Sequence, residues 1–80
     1  MNTYKVFVGV VAKFEPDGKV IPRSVIWEDG RKFEIDKVLD IRRAASLKAG
    51  GTGIRYTVRI GRRETFLFLE DGRWFAQRRD

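Results

Sequence analysis

Residues 34–53 read EIDKVLDIRRAASLKAGGTG, and the fold turns on whether this stretch is a helix or a bent strand. A helix would start from Asp36 as N-cap, run through the good formers in RRAASLKA and stop at Gly50. A strand would use Ile35, Val38, Leu39 and Ile41, with the alternation slipping at Asp36–Lys37 as it does at a bulge or sharp bend. The apolar positions make a poor helical face, because Arg42 falls on it. The spacing favours a bent strand through about Arg43, then a loop or one short helical turn near residues 43–49.

The flanks on both sides read as strands. Tyr4, Val6, Val8, Val10, Ala12 and Phe14 alternate with Lys5 and Lys13 opposite, and Ile54, Tyr56, Val58 and Ile60 alternate with Arg55, Thr57 and Arg59. ETFLFL (64–69) and RWFAQ (73–77) complete a final hairpin. Asp17–Gly18, Asp29–Gly30 and Asp71–Gly72 mark turns, since Asp tolerates positive φ and Gly adopts it freely. The tetrad EDGR occurs at 28–31 and 70–73. We read it as a recurring hairpin turn whose arginine pairs with the preceding glutamate, not as a repeated site. The expected fold is one mainly all-β domain over residues 1–80. It is a five- to six-stranded antiparallel meander closing into a small SH3-like or OB-like barrel.

Composition narrows the chemistry. The chain has 80 residues and neither cysteine nor histidine, which removes disulfides, cysteine- or histidine-liganded metals and the usual catalytic triads. No metal site or cofactor is expected. Asp36 and Asp40 lie near Lys37, Arg42 and Arg43, and neighbouring positive charge lowers carboxyl pKa values, the wrong direction for a general acid. An enzyme is not expected. No stretch has the length of a transmembrane helix, and the N-terminal apolar run is broken by Lys13 and Glu15, so a soluble cytoplasmic protein is the simplest expectation.

IDKVLDIRRAASLKAGGTGIRYTVRI, with the preceding WEDGRKF and the closing WF, resembles a family of small uncharacterised bacterial β-rich proteins. The similarity runs from Gly18 to Phe75. It implies a compact β domain and brings no assigned activity and no catalytic residues.

Charge gives the functional lead. Residues 1–40 carry seven bases and seven acids, whereas residues 41–80 carry ten bases, nine of them arginine, and four acids. The whole net charge of +6 therefore lies in the second half. Arginine's planar fork suits phosphate and stacks on bases. Arg42, Arg43, Lys48, Arg55, Arg59, Arg62 and Arg63 are the candidate contacts to DNA or RNA, with Tyr56 and Trp74 as candidate stacking residues. Phe66, Phe68 and Trp27 are expected in the core. Gly50, Gly51 and Gly53 form either a tight connector or an anion-binding nest with Lys48 and Arg55. The alternative function is a protein-interaction module or homodimer acting through an apolar patch around Phe7, Val11 and Trp74. No membrane role is expected.

Overall fold

The computed structural model of the chain describes residues 3–43 and 53–79. Eight strands form within them: β1 (Thr3–Phe7), β2 (Gly9–Phe14), β3 (Val20–Ile26), β4 (Lys32–Glu34), β5 (Lys37–Arg43), β6 (Ile54–Ile60), β7 (Arg63–Glu70) and β8 (Arg73–Arg79). They make two antiparallel sheets, one of order β1-β8-β7-β6-β5 and one of order β2-β3-β4. The described residues contain no helix, so none is long and apolar enough to cross a membrane. They form no closed ring of pairing.

The strand count exceeds the expected five to six because two long strands change sheet midway. At Val8 the chain leaves β8, whose Trp74 carbonyl still accepts from the Val8 N–H, and enters the smaller sheet as β2. At Ile35–Asp36 it returns: the Ile35 N–H donates to Arg23 on β3 and the next N–H, of Asp36, donates to Arg59 on β6. The residue 34–43 stretch is thus a bent strand, as its spacing indicates. The sharp bend falls at Ile35–Asp36, beside the expected Asp36–Lys37, and a separate register slip lies between Val38 and Asp40. The Asp36 carboxylate accepts from the Gly61 N–H at 2.7 Å and steadies the β6–β7 turn. Lys48, the glycines at 50 and 51 and the rest of the expected helical turn lie outside the described residues.

The two EDGR tetrads form different turns. At 70–73 Glu70 pairs with Arg73, leaving Asp71 (φ 51°) and Gly72 (φ 74°) as the two central residues of a tight hairpin. At 28–31 the loop is one residue longer. The Gly30 N–H donates to the Trp27 carbonyl, the Trp27 N–H to Arg31, and only Gly30 has positive φ. Arg31 pairs with Asp29 at 2.7 Å, not with Glu28. The Arg31 backbone N–H, followed by its side chain, holds the Asp29 carboxyl below its usual range. Register explains the difference: the flanking apolar pairs, Leu69–Trp74 in one hairpin and Val25–Phe33 in the other, fix which residues remain for the loop.

The core lies between the sheets. Tyr56, Val58 and Leu67 from the larger sheet meet Val25 from the smaller, with Val8, Val10, Ile54, Leu69 and Trp74 packed around them. Tyr56 is 1% exposed; its hydroxyl donates to the Val20 carbonyl at 2.6 Å, and its ring lies 5.2 Å from that of Trp74. Burial raises the phenol's pKa above its ordinary value near 10. Tyr56→Phe should cost about 1–3 kcal/mol, because the Val20 carbonyl loses its partner. In urea unfolding the midpoint falls while the slope is unchanged. Because the folded pKa is raised, stability is complete below the unfolded value and declines as pH rises from about 10 toward the folded pKa. Tyr56→Phe should flatten that alkaline decline, read from unfolding midpoints across the range.

Candidate nucleic-acid interface

Cross-strand partners share a sheet face, so the register assigns every side chain of the larger sheet to the core side or the outer side. On the outer side one row crosses all five strands: Phe7, Phe75, Phe68, Arg55 and Arg42. Beside it lies Asp40–Thr57–Phe66, and beyond that Lys37–Arg59–Glu64. Outer sheet faces are usually polar; this one carries four phenylalanines.

The rings are ordered among themselves. Phe68 and Phe75 stack at 5.1 Å with planes 16° apart, Phe7 meets Phe75 edge-on at 5.8 Å, and Phe66 meets Phe68 edge-on at 6.4 Å. Cations lie over them: Arg73 is 3.9 Å from the Phe7 centroid, Lys5 4.5 Å from Phe75 and Arg55 4.5 Å from Phe66. The central rings are shut off from solvent, Phe75 at 1% and Phe68 at 5% exposure, while Phe7 at 44% and Phe66 at 47% are open. The central pair is a second small core, and the outer pair is open to solvent.

Charge on this face is partly self-neutralised. Arg42 pairs with Asp40 at 2.7 Å, Arg59 with Glu64 at 3.4 Å and Lys5 with Glu70 at 3.4 Å. Lys5, Lys37, Arg42, Arg55, Arg59 and Arg73 still outnumber those three acids. The Nε of Arg55 is buried without a hydrogen-bond partner, so the guanidinium is held on Phe66 by packing and by the ring's charge distribution.

Of the residues expected to grip a partner, Arg42, Arg55 and Arg59 share this face. Arg62 sits exposed in the β6–β7 turn beside Gly61. Arg43 pairs with Ile54 and Arg63 with Ile60, so both belong to the opposite side of the sheet. Lys48 lies outside the described residues. Tyr56 is buried and hydrogen-bonded and offers no ring for stacking, a correction to the expectation. Trp74 is half-buried against it on the core side. Phe68 is buried as expected, but Phe66 is exposed on the outer face and Trp27, which lines an open groove between the sheets, is only half-buried. Lys5 and Phe7 join the face through the β1–β8 pairing, which joins opposite ends of the sequence and leaves no local signal, whereas Arg73 joins it through the β7–β8 hairpin.

No protein-family profile, curated protein or solved structure matches this chain, so the functional reading rests on the geometry.

The two classes of phenylalanine should separate on truncation. Phe68→Ala should cost about 3–5 kcal/mol in urea unfolding. Phe66→Ala should cost about 1 kcal/mol, from a half-exposed ring and its arginine contact. Equal costs would remove the distinction between second core and solvent-open rings.

Proposed function

We propose that the protein is a non-enzymatic module that binds single-stranded nucleic acid across the outer face of its five-stranded sheet. The observation that carries this reading is the row from Phe7 to Arg42. Exposed Phe7 and Phe66 flank a buried aromatic pair, and arginines lie within reach of both ends. Unpaired bases have free faces that stack on such rings at roughly 1–3 kcal/mol each, whereas a duplex offers mainly phosphates. Arg42, Arg55 and Arg59, with Lys5, Lys37 and Arg73, supply the charge that tracks the backbone. The acids support a binding role over catalysis, since Asp29, Asp36, Asp40, Glu64 and Glu70 are each engaged by a neighbouring base or N–H. We read the two sheets, joined by strands that change sheet, as a partly open barrel of the SH3-like or OB-like kind. A protein partner is the second reading, favoured by Phe14 at 77% exposure with Val11 and Ile26 exposed on the smaller sheet.

Fluorescence anisotropy with labelled single-stranded DNA, RNA and duplex DNA at two salt concentrations tests the proposal. We expect single strands to bind more tightly than duplex, with affinity falling as salt rises. Arg42→Glu with Arg59→Glu should weaken binding at least about tenfold and reduce the log–log salt slope by about 1.4, the value for two lost phosphate contacts on a single strand. Asp40→Asn should strengthen binding by releasing Arg42. Absence of binding at low salt would sink the proposal and favour the protein partner.

A further inference from the structure

The other side of the larger sheet holds a second feature, which shares Phe66 with the outer face. A groove of about 420 Å³ opens between the two sheets, lined among others by Leu67, Trp27, Phe33, Arg31, Arg63 and Arg78. Leu67 is buried, Trp27 and Phe33 are half-buried and the three arginines are exposed, so the groove grades from apolar depth through aromatic walls to a cationic mouth. No carboxylate lines it among the described residues. Arg31 is paired with Asp29, but Arg63 and Arg78 have no carboxylate partner among the described residues.

The cations lie loosely on the aromatics. Arg78 stands 5.9 Å from the Trp27 ring and Arg31 5.5 Å from the Phe33 ring, near the outer limit of such contacts. An occupant's ring could therefore take their place against an aromatic face. The volume lies within the range of small-molecule sites, roughly 300–1,000 Å³. Two unneutralised guanidiniums suit a multi-oxygen dianion better than a single carboxylate, because each fork accepts two oxygens. The apolar depth and aromatic walls call for a flat, weakly hydrated body attached to that anion.

We propose that this groove binds a planar aromatic phosphate of nucleoside-monophosphate size, its ring against Trp27 and Phe33 and its phosphate held by Arg63 and Arg78. No residue of the Phe7–Arg42 row lines the groove, although Phe66 borders both surfaces, and the proposal does not require a strand to be bound on the outer face.

The test uses the two tryptophans as internal reporters. Trp27 lines the groove and Trp74 packs against the core, and a Trp27→Phe variant assigns their two indole signals in a nitrogen–proton correlation spectrum. Adenosine monophosphate, adenosine alone and inorganic phosphate are titrated separately into the full chain. We expect adenosine monophosphate to shift the Trp27 signal saturably and leave Trp74 in place. Adenosine and phosphate should each bind at least tenfold more weakly. Arg63→Glu with Arg78→Glu should weaken binding at least tenfold, whereas Arg42→Glu with Arg59→Glu leaves it unchanged. The proposal is overturned by the absence of a saturable Trp27 shift, by phosphate alone binding as well as the nucleotide, or by loss of binding in the outer-face variant. A failure of oligonucleotide binding with the mononucleotide shift intact would count only against the outer face.

Discussion

The Tyr56 hydroxyl reaches from the middle of the larger sheet to the Val20 carbonyl at the start of β3, and the packing of both sheets is arranged around that bond. A buried carbonyl without a partner is costly, and β3 begins there after a turn, beyond the reach of the larger sheet's own ladder. A phenylalanine would fill the same space and leave the carbonyl unanswered. Trp74 braces the ring, and Val25, Val58 and Leu67 close around it. The bond ties the middle of the larger sheet to the first residue of β3 in the smaller one.

That arrangement leaves the larger sheet with apolar side chains on both faces. A sheet that packs on one side only usually alternates apolar with polar residues. Here β7 carries Leu67 and Leu69 on one side and Phe66 and Phe68 on the other, and β8 sets Trp74 against Phe75. Among the described residues, Lys5, Arg55 and Arg73 lie over the rings of Phe75, Phe66 and Phe7. Their aliphatic stems and charged heads give the cover a dual character, apolar toward the rings and cationic toward solvent. The described residues thereby hold a second buried cluster, Phe68 with Phe75, beside the core between the sheets.

The fold was legible where local pattern is strong. Alternation in 54–60 and the poor helical face of 36–43 located β6 and β5, and Asp71–Gly72 located the last hairpin. What escaped depends on partners distant in sequence. EDGR at 28–31 and at 70–73 is the same tetrad, yet flanking register gives the two copies different turns, and register is a property of strand pairs. Alternation groups Tyr56 with Ile54, Val58 and Ile60 but does not show that β3 lies across that face, so stacking stays open for it in the sequence and is closed only by the tertiary fold. Arg63 was grouped with Arg59 by proximity in sequence, although the tight turn at Gly61–Arg62 sends Arg63 to the opposite side of the sheet. Phe66 and Trp27 were assigned to the core by residue type, a tendency that tertiary placement overrode.

The slip between Val38 and Asp40 has a consequence for how the protein behaves beside its own copies. β5 is the last strand of its sheet, and a regular strand there would present a row of unpaired N–H and C=O groups to any passing chain. The extra residue at Leu39 breaks the spacing of that row, and Lys37, Arg42 and Arg43 place like charges where a second β5 would have to approach. An incoming strand would meet a mismatched ladder and electrostatic repulsion together. The slip inside β5, separate from the change of sheet at Ile35–Asp36, thus disfavours the addition of another strand at this edge.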